Sequence, residues 1–183
     1  MDKGLIPRRY AKALYEVGED RKDNERLYSL MQNLETSFKA QPAMAKTLAN
    51  PFVGPADKKA LLVAAAGGSD AAADTTYADF LALLAQNGRL DLARDIARAF
   101  VDLYRTRHDI FRVSIVSAAP MTEAGRKRLE DIISRHIGRG TMEYEYSIDP
   151  ALIGGFTVTV NSERLDASVA GQLKELRRSL AAD

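Results

Sequence analysis

The stretch ALIGGFTVTVNSERLDASVAGQL, residues 151–173, holds a glycine pair, then strand-like alternation, then a helical repeat. Glycines beside a strand and a helix can cradle a phosphate when the helix N-terminus faces the anion. Here Gly154 and Gly155 precede the strand at 156–161, and no Lys-Ser/Thr pair follows them. The pair therefore predicts a bend or bulge where the chain enters a strand, and Asp166 is a plausible N-cap of the next helix.

After His108, apolar residues recur at every second position, as in strands with one buried face. The alternating sets are Phe111/Val113/Ile115, Met142/Tyr144/Tyr146/Ile148 and Phe156/Val158/Val160. Two helical repeats accompany them, Leu129/Ile132/Ile133/His136/Ile137 ending at Gly138, and Val169/Leu173/Leu176/Leu180. The pattern predicts a small α/β (β-α-β-β-α) domain over residues 108–183.

Before His108 the apolar period is helical, and no segment alternates like a strand. Clear stripes lie in three places, Tyr10/Ala13/Leu14/Val17, Leu27/Leu30/Met31/Leu34/Phe38 and Tyr77/Phe80/Leu81/Leu84. The small-residue stretch AAAGGSDAAAD, residues 64–74, is interpreted as a loose loop between helices. Residues 1–107 therefore form an all-α bundle of five or six helices.

Composition argues against several classes of function. The 26 basic and 25 acidic side chains give a net charge of +1, whereas a nucleic-acid binder usually has a basic excess. No apolar run approaches the roughly 18 residues of a membrane span, and the first residues lack the apolar stretch of a signal peptide, so we expect a soluble chain. There are no cysteines, no Gly-x-Ser-x-Gly motif and no tight histidine cluster. His136, on an apolar helix face, is interpreted as a core or boundary residue.

The positive signal is an excess of apolar surface on two helices. On a helical wheel the first helix has an apolar arc of about 200°, whereas packing against one core needs about 100°. Leu83 lies about 100° away from the stripe of its own helix. Either these helices are central in the bundle, or they bury a second face against a partner helix. The pattern alone leaves both possibilities open.

Three stretches resemble the delta subunit of bacterial F-type ATP synthase, the oligomycin-sensitivity-conferring protein family. RRYAKALYEVG (8–18) is similar to the family's first helix, and LLAQNGRLDLARDIARAF (83–100) to its fifth and sixth helices. IDPALIGGFTVTVNSERLDASVAGQLKELRRSL (148–180) is similar to its C-terminal signature, with a glycine pair entering a strand and Asp-x-Ser opening the last helix.

The resemblance implies a six-helix bundle (1–107) that binds the catalytic head and an α/β domain (108–183) that binds the peripheral-stalk b subunits. It implies a non-catalytic stator subunit, one copy per complex, peripheral on the cytoplasmic face of the bacterial inner membrane, without cofactor, metal, nucleic acid or membrane insertion. Carried over by position, a groove for the alpha-subunit N-terminal helix uses Tyr10, Ala13, Val17, Asp79, Leu83 and Gln86. The head partners that the resemblance implies are the alpha subunits, with the beta subunits as further candidates. Gly154, Gly155 and Asp166 have structural roles. The alternative is a freestanding helical adaptor or a small enzyme whose site is not recognisable in the sequence.

Overall fold

A computed structural model describes residues 4–161 and 163–180 of the chain, without the side chains of 175–180. The chain divides into two compact units, Met1–Thr106 and Arg107–Asp183. The division falls one residue before the boundary predicted from the change of apolar period. Among the described residues, no helix combines the length and the apolar character that crossing a bilayer requires.

The first unit is helical, as predicted. Its helices are α1 (Leu5–Arg21), α2 (Asn24–Ala40), α3 (Ala43–Ala49), α4 (Pro55–Ala66), α5 (Ser69–Ala73), α6 (Thr75–Gln86) and α7 (Ala93–Arg107), with a 3-10 turn at Leu90–Leu92. The described part thus holds seven α-helices rather than six, and the expected fifth helix is α6. The loop interpretation of residues 64–74 is wrong in part, because α5 forms there around Ala71, which is fully buried.

The core of this unit uses the predicted stripes of α2 and α6. The predicted stripe of α1 is wrong in part, because Ala13 and Val17 are exposed whereas Ala11, Leu14 and Tyr15 are buried. Tyr77, Leu81 and Leu84 of α6 are almost completely buried, and the Tyr77 hydroxyl donates a hydrogen bond of 3.1 Å to the carbonyl of Leu62. Tyr28 of α2 stacks on Tyr104 of α7 with ring centroids 4.2 Å apart. The buried side chains of α6 define its inward face, and hence the face that remains available.

The second unit contains β1 (Ile110–Ser117), α8 (Glu123–Ile137), β2 (Thr141–Ile148), a 3-10 turn (Pro150–Leu152), β3 (Gly155–Val160), β4 (Glu163–Ser168) and α9 (Val169–Leu180). The sheet order is β2-β1-β3-β4; β1 is parallel to β2 and antiparallel to β3, and β3 is antiparallel to β4. The prediction lacks β4. That strand, ERLDAS, lies at the sheet edge with most side chains exposed, and its two apolar residues, Leu165 and Ala167, give too short an alternation to predict a strand.

The core of the second unit lies between α8 and one sheet face. Val113 and Ile115 of β1 and Val158 of β3 meet Leu129 and Ile133 of α8. This confirms the strand alternation predicted for β1 and β3. The buried face of α8 is narrower than the predicted stripe, because it consists of residues four positions apart, Leu129, Ile133 and Ile137. Ile132 and His136 are consequently exposed, so the core or boundary interpretation of His136 is wrong. The predicted positions Leu176 and Leu180 of α9 lie outside the described side chains.

The glycine pair lies where the chain turns into β3. Gly155 has φ +76°, and a Cβ there would come within 2.2 Å of the Ala167 carbonyl oxygen on β4. The Gly154 carbonyl accepts a hydrogen bond of 3.0 Å from the Val169 amide at the start of α9. Both glycines therefore lie against the neighbouring backbone or side chains, and Gly155 combines a left-handed conformation with a close approach.

Asp166 does not cap α9, which corrects the prediction. It lies in β4, and its carboxylate accepts hydrogen bonds from the Ser168 amide at 3.0 Å and the Ser168 hydroxyl at 2.6 Å. The Ser168 oxygen in turn accepts from the Gly171 amide at 3.0 Å. The cap therefore belongs to Ser168, and Asp166 orients that hydroxyl. In the sequence both residues are good N-caps, so spacing alone does not separate them.

Candidate interaction groove between α1 and α6

Two polar contacts set the relative direction of α1 and α6. Near the end of α1, Arg21 Nη1 lies 3.1 Å from Asp79 Oδ2 and donates to the Thr76 hydroxyl at 3.2 Å, close to the start of α6. Nearer the start of α1, the Tyr10 hydroxyl accepts a hydrogen bond of 3.1 Å from Asn87, just after α6 ends. The two helices are therefore antiparallel neighbours, with a groove between them.

The groove has an apolar floor and partly exposed apolar walls. Leu14 and Phe80 are buried at its base, whereas Val17 and Leu83 remain 41% and 46% exposed. One cavity of about 220 Å³ is lined by Tyr10, Ala13, Leu14, Val17, Arg21, Thr76, Asp79, Phe80 and Leu83. A second of about 360 Å³ shares three of these and is lined by Ile6, Arg9, Tyr10, Ala13, Leu83 and Arg89.

Five of the six residues expected for the groove lie together in this arrangement. Tyr10, Ala13, Val17, Asp79 and Leu83 all line the 220 Å³ cavity. Gln86 is exposed on the last turn of α6 but lines neither cavity. Of the two possibilities that the apolar excess left open, the exposed positions of Val17 and Leu83 favour a second face over a central place in the bundle.

The sequence prediction missed Ile6, Arg9, Arg21, Thr76 and Arg89. Ile6 and Arg21 continue the α1 face at helical spacing from Tyr10 and Val17, so a longer helical wheel would have found both. Thr76 lies at helical spacing from Asp79, Phe80 and Leu83, so the same wheel applied to α6 would have found it. Arg89 lies beyond the end of α6, and its approach to α1 depends on tertiary packing that no sequence pattern indicates.

The groove is basic at one end. Arg89 Nη1 donates to the Tyr10 hydroxyl at 3.0 Å, and the guanidinium carbon lies 5.6 Å from the centre of the Tyr10 ring. Arg9 is exposed beside it. Among the described residues, no carboxylate forms an ion pair with Arg9 or Arg89, whereas Arg21 at the other end is paired with Asp79.

The second unit has its own exposed apolar side chains. Leu165 on β4 and Leu173 on α9 are 64% and 53% exposed, and Val169 at the start of α9 is also exposed. Ile148 and Ile153, at and after the end of β2, are exposed as well. Side chains of this size usually lie in a core, and several together commonly mark an interaction surface.

Two titratable groups of the second unit have pKa values that are shifted by burial or by hydrogen bonds within the fold. Burial raises the pKa of Tyr146 to about 12, and a hydrogen bond to the Glu130 carboxylate adds to the effect. The Ser168 hydroxyl, followed by the Ser168 amide, lowers the pKa of Asp166. Within the part of the chain that the structure describes, no three His, Cys, Asp or Glu side chains are grouped as a metal site would need.

The chain combines a helical unit that has an open apolar groove with a small α/β unit that has its own exposed apolar side chains. These features are typical of a two-domain protein that binds other proteins. The family model for the ATP synthase delta (OSCP) subunit matches residues 6–180, and the chain belongs to this family. It is therefore a non-catalytic stator subunit that links the catalytic head of ATP synthase to its peripheral stalk, and a peripheral part of that membrane-bound complex. Membership of this family decides against the two alternatives, a freestanding adaptor and a small enzyme.

Comparison with individual proteins agrees with this assignment. The chain is 36% identical to ATP synthase subunit delta of Parabacteroides distasonis, over 98% of both chains. It is 34% identical to ATP synthase subunit delta of Bacteroides thetaiotaomicron, over 97% of this chain and 95% of the relative. A chain in the cryo-EM structure of the Toxoplasma gondii mitochondrial ATP synthase hexamer has the same fold, with a TM-score of 0.74, 20% identity, and coverage of 98% and 99%.

Proposed function

We propose that the α1–α6 groove binds the amphipathic N-terminal helix of an alpha subunit and so fixes this stator subunit to the catalytic head. The supporting observation is that Val17 and Leu83 remain about half exposed above a buried apolar floor. An amphipathic helix places a few apolar side chains at helical spacing into such a groove. Asp79 then lies at the rim, where a polar side chain of the partner meets it.

Leu83 is the side chain that best tests this proposal. It is 46% exposed and lines both cavities, so a charge there enters the contact without entering the core. We expect Leu83→Asp to weaken binding of a peptide with the alpha-subunit N-terminal sequence by about 2–4 kcal/mol, because the new carboxylate loses water on binding. The thermal midpoint of the isolated protein should change little.

We also propose that the second unit, residues 108–183, binds the C-terminal end of the b subunits while residues 1–107 bind the head. Leu165, Val169 and Leu173 support this assignment, because they offer apolar surface close to the last helix. This proposal predicts that Leu173→Asp weakens binding to a b-subunit fragment. The two leucines are matched, since both are half-exposed positions on helices.

The experiment is a reciprocal titration of both full-length variants with both partner fragments. Leu83→Asp should lose the alpha peptide and keep the b fragment, and Leu173→Asp should do the reverse. If Leu83→Asp binds the alpha peptide like the parent, the groove is assigned to the wrong partner. If a variant unfolds at a lower temperature, the substituted leucine contributes to the core; Val17→Asp then replaces Leu83→Asp, and Leu165→Asp replaces Leu173→Asp.

The remaining features of the proposal concern the whole complex. We infer one copy per synthase, located on the cytoplasmic side of the bacterial inner membrane, with further contacts to beta subunits near the head. Quantitative mass spectrometry of the purified complex measures the copy number against the alpha subunits. Protease accessibility in inverted and right-side-out vesicles reports the face of the membrane.

A further inference from the structure

The two ends of the α1–α6 groove differ in charge. At the end near the start of α1, Arg9 and Arg89 line the larger cavity without an ion-pair partner among the described carboxylates. At the other end, Arg21 and Asp79 neutralise one another at 3.1 Å. A helix in this groove therefore meets two positive charges at one end and none in excess at the other.

The hydrogen bonds of Tyr10 point to the same kind of ligand. Its hydroxyl oxygen accepts from Asn87 at 3.1 Å and from Arg89 at 3.0 Å, which occupies both of its lone pairs. Its own O–H has no acceptor among the described residues. Arg9, Arg89 and Tyr10 thus present donors at one place where an acceptor is missing, and a carboxylate can accept from an arginine through two parallel bonds.

The length of the groove limits the size of the partner segment. Ile6 lines one end and Arg21 the other, which is fifteen residue steps along α1. At about 1.5 Å per residue this is about 22 Å, or roughly four turns of a docked helix. A single side chain of such a helix can reach the Arg9/Arg89 end while another lies beside Asp79.

We propose that the groove selects a helix of about four turns that bears a carboxylate at the end beside Arg9, Arg89 and Tyr10, and that this contact sets the direction in which the helix lies. The inference rests on the proposed function, in which the alpha-subunit N-terminal helix occupies the groove. It adds the charged contact that makes the groove specific for one helix and one orientation, because apolar contacts alone tolerate either direction of the helix.

The test is a set of binding cycles with the full-length protein. The probes are the alpha-subunit N-terminal peptide and versions in which each Asp or Glu is replaced singly by Asn or Gln. The protein variant carries Arg9→Gln and Arg89→Gln together. The control is Lys12→Gln, which removes a positive charge from the same helix but lines a different cavity and already pairs with Glu16.

We expect the double variant to bind the parent peptide at least about tenfold more weakly at low salt. For one amide-substituted peptide, the double variant and the parent protein should bind within about twofold of one another, because the carboxylate that contacts the arginines is gone. Lys12→Gln should change binding by less than about twofold. The proposal is overturned if no single carboxylate couples to the arginines, or if Lys12→Gln has the same effect.

A nitroxide label at the coupled end of the peptide gives the direction independently. It should broaden the backbone amide signals of Ile6 and of residues 8–10 and leave those of residues 17–21 sharp; the opposite pattern overturns the inference. Leu83→Asp separates this outcome from failure of the proposed function. If Leu83→Asp abolishes binding while the arginine variants bind normally, the groove assignment stands and the charge inference falls. If Leu83→Asp has no effect, both fall.

Discussion

Arg26 Nε lies 3.1 Å from Asp74 Oδ2, and the Asp74 side chain is 1% exposed whereas that of Arg26 is 50% exposed. The other oxygen of Asp74 accepts a hydrogen bond of 2.8 Å from the Tyr77 amide and so caps α6. One buried carboxylate thus ties α2 to the beginning of the helix that carries Leu83.

Arg26→Ala should lower the free energy of unfolding by about 1–3 kcal/mol, because it leaves the buried Asp74 carboxylate without its cation. Asp74→Ala should also destabilise the protein, through loss of the α6 cap, by about 1 kcal/mol. Urea unfolding measures both. Arg94→Ala, at an exposed position on α7, is the control and should have little effect. Equal stabilities for Arg26→Ala and Arg94→Ala would show that the buried pair contributes nothing.

Gly155→Ala should destabilise the second unit more than Gly138→Ala. Both glycines have φ near +75°, but a Cβ at Gly138 meets open space whereas one at Gly155 meets the Ala167 carbonyl. The left-handed conformation should cost each variant about 1–2 kcal/mol. The steric clash should add about 1–3 kcal/mol at Gly155 alone. Urea unfolding followed through amide signals of β3 and β4 compares the two, and equal losses would contradict the close approach.

Tyr146 should make stability fall at alkaline pH. Its pKa is raised from 10.0 to about 12 in the folded protein, so the folded state favours the neutral phenol. This contribution is fully present below pH 10, where the unfolded tyrosine is neutral, and is lost as pH rises toward 12. Tyr146→Phe should be less stable than the parent near neutral pH, and the difference should shrink between pH 10 and 12. Urea midpoints across that range test it, and a constant difference would show that Tyr146 does not titrate there.

Ser168→Ala should remove the cap of α9 and release Asp166 from its strongest hydrogen bond. Loss of the cap should cost about 1 kcal/mol. The pKa of Asp166 should rise toward its ordinary value, because the Ser168 hydroxyl is the main cause of its lowering. A lowered pKa stabilises the fold above the ordinary pKa and the effect is lost as pH falls, so the parent should lose more stability on acidification than the variant. A carbon NMR titration of the carboxylate gives the pKa, and Asp166→Asn, which keeps an acceptor for Ser168, should retain the cap.

The sequence predicts those parts of the fold that are set by one amphipathic period. Two patterns predict both the element and its buried face. They are the helical stripe Tyr77/Phe80/Leu81/Leu84 and the strand pattern in which Val113 and Ile115 alternate with polar residues. Elements with little apolar periodicity are missed. In the edge strand β4 only Leu165 and Ala167 are apolar, and α5 is a single short helix whose one buried side chain is an alanine.

The groove is predictable from the sequence where it follows the helical faces of α1 and α6. Leu83 lies outside the predicted stripe of its helix and is exposed as expected. Val17 belongs to the predicted stripe of α1 and is nevertheless exposed, because that stripe lines the groove. The basic end is not predictable in this way. Arg89 lies just beyond the end of α6, and its hydrogen bond to Tyr10 joins residues 79 positions apart. Only the packing of the two helices shows that these residues meet.

The order of the strands has a mechanical consequence for a protein that holds two parts of a rotary machine in place. α7 ends at Arg107, and the chain enters β1 at Ile110, which is an inner strand bonded to β2 on one side and to β3 on the other. A pull transmitted along the chain from α7 therefore acts on a strand that is paired with β2 from Ile110 and also with β3 from Val113. An outermost strand such as β4 has one ladder to resist such a pull, whereas separating β1 over residues 113–117 requires two ladders to break.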